Sequence, residues 1–174
     1  IQHDDTEKYK ERAVRHVERG GIKLLMFSGP PPEWGGDITV TVTFKTMAKE
    51  VETQLAIDSE SFFTIERIAF PILTRRPVAE SDRMLLAHNC GDWMTDPVRQ
   101  ITKRWGRPGG GGEVIYRYPA MLAMQYMVLQ NESHSFYLSS YHLGDETIAH
   151  RVRTGGVDDL RMTVDWYPFI RRSA

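Results

Sequence analysis

The chain has one cysteine, Cys90, in 174 residues, so no internal disulfide can staple it and small disulfide-framework scaffolds are excluded. Long apolar runs are missing as well. The run Met121-Leu122-Ala123-Met124 is far short of the roughly 18 residues that a membrane-crossing helix needs. Charge of one sign is also scarce: 22 Lys+Arg stand against 23 Asp+Glu, a formal net charge of -1. That balance gives no long-range field to hold nucleic acid or an anionic lipid surface. No Gly-x-Ser-x-Gly elbow and no His-Glu-x-x-His helix occurs, which removes two common hydrolase signatures. What remains, at 41% hydrophobic and 26% charged residues, is the composition of one globular domain slightly poor in apolar material. The chain opens on Ile1 with no charged-then-apolar leader after it, and the expectation is a portion of a longer or processed protein.

The residues read as a lead-in over 1–36 and a β domain over 37–174. From Asp4 to Gly21 the pattern predicts a helix. Tyr9, Ala13, Val14 and Val17 form one stripe, Asp4, Asp5 and Thr6 offer N-cap oxygens, and Gly20-Gly21 offer a stop. A strand from Ile22 to Phe27 follows, ending at Gly29 and three prolines. After Gly36 the period changes to two: Ile38, Val40, Val42 and Phe44 alternate with Thr39, Thr41 and Thr43. Further strands are expected at Val51–Ile57, Ile65–Phe70, Val114–Tyr118, Met121–Leu129, Ser135–Tyr141, Thr147–Val152 and Leu160–Trp166. Met121–Leu129 is apolar on both faces, the mark of a central strand covered on both sides. No helical period recurs after the first segment. The fold class is therefore all-β, an antiparallel two-layer sandwich with an N-terminal helix.

Four features carry possible chemistry. The run Gly106-Arg107-Pro108 followed by four glycines lacks the Lys-Ser/Thr of a phosphate loop and reads as a mobile loop. His88, Cys90 and Asp92 alternate, as a thiol nucleophile pair or a zinc set would require, but no second ligand cluster is in register. A turn with a small buried thiol is the plainer reading, and no metal or cofactor is expected. Evenly spaced His134, His142 and His150 include one, His142, that sits at a strand end beside Asp145 and Glu146, where sandwiches place functional groups. Finally, Trp34, Trp93 and Trp105 lie in polar, glycine-containing surroundings, and rings there suit the apolar face and hydroxyl rim of a pyranose. Trp166, inside the alternating run Met162-x-Val164-x-Trp166, reads as core.

Tyr118-Pro119-Ala120-Met121-Leu122-Ala123-Met124-Gln125-Tyr126-Met127, then Ser135-Phe136-Tyr137-Leu138-Ser139-Ser140-Tyr141-His142, resembles the β-sandwich domain of bacterial glycoside-hydrolase-like proteins related to endo-α-N-acetylgalactosaminidases. Those proteins show Tyr-Pro, Met-Gln-Phe/Trp-Met and Gly-Leu-Tyr-Leu-Gly-Ser-His-Asp at comparable places, and Ile65–Leu73 resembles their strand ending in Phe-Pro. The resemblance implies a supersandwich of the galactose-mutarotase type and a following (β/α)8 barrel that holds the catalytic carboxylates. Here the chain has Ser139-Ser140-Tyr141-His142, so an imidazole stands where the family has its aspartate, and the barrel is expected to lie outside residues 1–174. The expectation is a non-catalytic module that packs on a barrel and lends Trp34, Asp92, Trp93, His142 and Asp145 to a carbohydrate cleft. A mutarotase-like epimerase, using His142 with Asp145 or Glu146, and a purely structural assembly module are the alternatives.

Overall fold

The computed structural model describes residues 13–19, 22–28, 38–59, 65–75, 77–106, 108, 110–141, 147–155 and 158–168. The chain divides into two compact units, Ile1–Thr64 with Arg171–Ala174, and Ile65–Ile170. Both are built from antiparallel sheets, so the all-β expectation holds at that level.

The first unit carries a four-stranded meander of β1 (Ala13–Arg19), β2 (Ile22–Ser28), β3 (Ile38–Thr46) and β4 (Val51–Ser59), in that order. Residues 13–19 thus form a strand where a helix was expected, and the rest of that expected helix lies outside the described residues. The reason is pairing: Ala13 to Arg19 runs in unbroken register against Ser28 to Ile22, and cross-strand partners override a weak helical stripe. β2 pairs in turn with β3, so a single sheet runs across the expected boundary at residues 36 and 37. The alternation read from the sequence is kept, with Val40 opposite Ile57 and Val42 opposite Leu55. These apolar side chains share one face of the sheet.

The second unit is sandwich-like. One sheet has the order β10 (Ser135–Ser139), β9 (Leu122–Gln130), β6 (Arg83–His88), β7 (Asp92–Thr95). The other has the order β5 (Ile68–Arg75), β12 (Leu160–Tyr167), β11 (Thr147–Thr154), β8 (Gly112–Tyr118). One core joins them: Met84, Leu86, Met94, Met127 and Leu129 from the first sheet pack with Val114, Ile148, Val152, Met162 and Val164 from the second. Burying side chains of this size stabilises by roughly 1.5–3 kcal/mol each. β9 is interior to its sheet, as its sequence suggests, but its outer face is not covered as expected. Its pairing with β6 shifts register between Leu86 and His88, which turns Leu122 inward with Met127 and Leu129 while Met124 stays exposed. Pro71 is tolerated inside β5 because β5 is an edge strand.

A helix absent from the sequence reading, α1 (Pro97–Trp105), joins β7 to β8. Its start is encoded locally. Asp96 accepts a hydrogen bond from Arg99 N at 3.2 Å, Pro97 opens the first turn, and Lys103 and Arg104 close the last. Val98 and Ile101 bury its inner face. The ends of the glycine run after it form a packing joint: Gly106 bridges to Gly112. A Cβ on Gly112 would come within 2.7 Å of the Ile101 carbonyl oxygen, and Gly112 N donates to Thr154 Oγ1 at 2.7 Å. Only glycine lets helix and strand approach this closely.

Candidate functional site

Strand register in the β10-β9-β6-β7 sheet assigns every side chain to a face. Phe136, Leu129, Met84 and Met94 lie in one cross-strand row, and Leu129, Met84 and Met94 of that row are buried. The next row, Leu138, Met127, Leu86 and Asp92, comes two residues on along each strand and therefore faces the same way, into the core. The intervening row is Tyr137, Val128, Leu85 and Trp93, and by the same period it faces out. Tyr137 is 55% and Trp93 53% exposed, while Val128 and Leu85 between them are half-buried. This gives an apolar strip across four strands with an aromatic ring at each end. Tyr126 thickens it at the β10 end, stacking on Tyr137 with centroids 5.4 Å apart.

The strip has a polar neighbour. Ser135, Gln130, Arg83 and Thr95 form the adjacent outward row. Arg83 Nη1 is held by the carbonyls of Ser81 at 2.6 Å and Asp82 at 3.2 Å, and Thr95 Oγ1 accepts from Gln100 Nε2 of α1 at 3.1 Å. No carboxylate lies in either row.

Asp92 and Trp93, expected to share a cleft wall, are neighbours on β7 that point to opposite faces of the sheet. Asp92 Oδ2 lies 2.9 Å from His88 Nδ1 and accepts a hydrogen bond from the Tyr116 hydroxyl at 2.8 Å. The imidazole stacks flat on the Tyr116 ring, with centroids 4.1 Å apart and planes 6° apart. His88 and Asp92 meet because a three-residue turn, Asn89-Cys90-Gly91, with Asn89 at φ 49° and Gly91 at φ 99°, closes the β6–β7 hairpin between them. Tyr116 arrives from β8 in the other sheet. Burial first, and then the Asp92 carboxylate, raise the Tyr116 phenol well above its ordinary 10.0. Donation from Nδ1 to Asp92 leaves Nε2 as the acceptor, and Asn89 Nδ2 sits 3.3 Å from it.

A carboxylate-oriented imidazole of this kind can act as a general base. Here its free nitrogen already faces an amide, and Cys90 is exposed at the turn tip rather than buried as expected. Among the described residues no group of three His, Cys, Asp or Glu could hold a metal ion. The cluster reads as a polar tie between the two sheets. Changing Tyr116 to Phe removes a hydrogen bond to a carboxylate across that tie. It is expected to cost about 1.5 kcal/mol in urea unfolding, and a cost near zero would show that the tie carries no load.

A cleft of about 330 Å³ opens near the other end of the sandwich, with Leu73, Leu129, Phe136 and Met162 among its lining and Asp82 and His134 beside them. Trp166 donates from Nε1 to the Phe70 carbonyl at 2.8 Å and packs on the core, as expected. Trp105 is half-buried against the same core, with the Arg104 guanidinium 5.8 Å from its ring centroid. Trp34, His142, Asp145 and Glu146 lie outside the described residues. Sequence reasoning missed Tyr137, Leu85 and Val128 as a surface, since each looks like ordinary strand filling until register aligns it with Trp93. Comparison of the chain with protein-family models, with curated proteins and with solved structures gave no match.

Proposed function

We propose that this chain is a non-catalytic β-sandwich module that contacts carbohydrate through the outer face of its β10-β9-β6-β7 sheet. The observation that carries the reading is the in-register row Tyr137-Val128-Leu85-Trp93, which holds two large rings in solvent at the ends of an apolar strip. Exposed rings of this size, each able to cover 150–250 Å², match the C–H face of a pyranose, and the adjoining hydroxyl, amide and guanidinium groups match its hydroxyls. The resemblance of the Tyr118–Met127 and Ser135–His142 segments supports a finer form of the proposal. In it the sandwich is of the galactose-mutarotase type and precedes a (β/α)8 barrel carrying the catalytic carboxylates of a glycoside-hydrolase-like protein.

Within this reading Trp93 contacts sugar, and Asp92 acts behind it by fixing the β6–β7 hairpin to Tyr116. A glycan array probed with the whole chain tests it. Binding is expected, and Trp93→Ala is expected to weaken it about tenfold, the equivalent of one well-placed ring. Absence of binding to every glycan would overturn the reading. So would hydrolysis of an aryl-glycoside by the purified chain that disappears on changing His88.

A further inference from the structure

The geometry points to the class of carbohydrate: an extended, uncharged glycan chain lying across the strands, touching Tyr137 and Trp93 at the same time. This inference rests on the carbohydrate reading above and specifies its ligand.

Two features carry it. The first is span. Tyr137 is on β10 and Trp93 on β7, three strand intervals apart, which at ~4.8 Å per interval is about 14 Å. One sugar ring is much shorter than that. Between the two exposed rings the row continues through the half-buried aliphatic side chains of Val128 and Leu85, so a ligand touching both rings meets apolar surface between them. Each ring adds its own contact area, and two contacts joined by one ligand act at high effective concentration.

The second feature is charge. Neither the strip nor the adjoining row holds a carboxylate, so nothing there pairs with an amino sugar. The one cation in these two rows, Arg83, has its Nη1 engaged by loop carbonyls at 2.6 Å and 3.2 Å, and a single guanidinium cannot match the repeating charges of a uronate polymer. Apolar contact flanked by neutral hydrogen-bonding groups therefore favours a neutral chain. A second protein copy would also use an apolar sheet face. Against it, the strip is bordered along one whole side by the polar row Ser135, Gln130, Arg83 and Thr95 and is widened on the other at the β10 end by Tyr126, whereas protein interfaces surround an apolar centre with a polar rim on all sides.

Isothermal titration of the whole chain with a neutral gluco-oligosaccharide series, from one sugar upward, tests the inference. Affinity is expected to climb steeply until the ligand reaches both rings and then level off. For the long ligand, Trp93→Ala and Tyr137→Ala should each cost about tenfold, and the pair together should abolish measurable binding. Both side chains are exposed, so the variants should keep the wild-type circular dichroism. Binding that is equal for one sugar and for many would overturn the extended-chain inference while leaving the carbohydrate reading intact. Preference for a uronate oligomer of equal length would overturn its neutral character. If no sugar binds, and sedimentation shows a dimer that Tyr137→Ala dissociates, both readings fall together and the face is a protein interface.

Discussion

Replacing Arg151 with methionine is expected to destabilise the second unit by about 3–5 kcal/mol. Arg151 sits between two carboxylates on β11's outward side. Its Nε donates to Asp165 Oδ2 at 2.7 Å and its Nη1 to Glu113 Oε1 at 2.7 Å. The side chains of Glu113 and Asp165 are 3% and 1% exposed, so neither charge has water to fall back on. Burial pushes the Glu113 carboxyl upward, but the hydrogen bonds and charges of Arg151 and Arg153 outweigh it and hold the group below its ordinary 4.5. Burial likewise opposes the charge on Arg151, and the two carboxylates more than restore it, raising its pKa. The methionine variant keeps the bulk of the side chain and leaves Asp165 facing Arg67 at 3.9 Å and the Tyr167 hydroxyl at 3.5 Å.

Charge left behind is the source of the cost, so its removal is the control. In the triple variant Arg151→Met, Glu113→Gln, Asp165→Asn, most of the loss should return. Urea unfolding followed by near-ultraviolet circular dichroism reads both. A loss below 1 kcal/mol for Arg151→Met, or a triple variant as unstable as the single one, would show that the network is not what holds this face.

The balance of legible and illegible features follows from how far apart the cooperating residues lie. β3 was readable because Ile38, Val40, Val42 and Phe44 write a period of two into nine consecutive residues. β11 and β12 were readable for the same reason. β6 and β7 were not, being only six and four residues long and sharing a hairpin whose turn, Asn89 to Gly91, looks like loop. α1 had a usable signal in Asp96-Pro97, an N-cap followed by the residue best suited to the first helical position. It was passed over because its apolar stripe is only Val98 and Ile101. β1 shows the opposite error, where a faint helical stripe lost to seven cross-strand partners.

For the site, Trp93 and the His88/Asp92 spacing were visible, but their separation was not. Opposite faces of one strand differ by a single residue, and register decides which face is which. Tyr116 completes the His88–Asp92 cluster from 24 residues beyond Asp92 and from the other sheet, a meeting that sandwich closure creates and no local pattern announces.

His150 supplies the second large effect, a loss of stability in mild acid. It lies on β11 between Tyr116 of β8 and Val164 of β12 in register and is 1% exposed. Neither ring nitrogen meets hydrogen-bond geometry with a described group. The Tyr126 backbone on β9 favours the charged ring slightly, but burial dominates and lowers the pKa from an ordinary 6.5 to about 4. The folded protein therefore holds this ring neutral at a pH where the unfolded chain has already protonated it. Stability rises with pH wherever the unfolded state binds more protons. It should thus be lost as pH falls from 6.5 to about 4, at up to about 1.36 kcal/mol per pH unit and about 3 kcal/mol in all. Glu113 cannot mimic this between pH 6.5 and 4.5: its pKa is depressed from an ordinary 4.5, so its contribution is lost only below that value. His150→Leu removes the titrating ring, fills a similar volume with apolar atoms, and should flatten the profile in that window while leaving stability at pH 7.5 equal or higher. The His150 ring-proton signals in nuclear magnetic resonance should stay those of neutral imidazole down to pH 5. A wild-type profile already flat between pH 6.5 and 4.5, or an unchanged slope in His150→Leu, would mean that the buried imidazole is not the acid-labile element of this core.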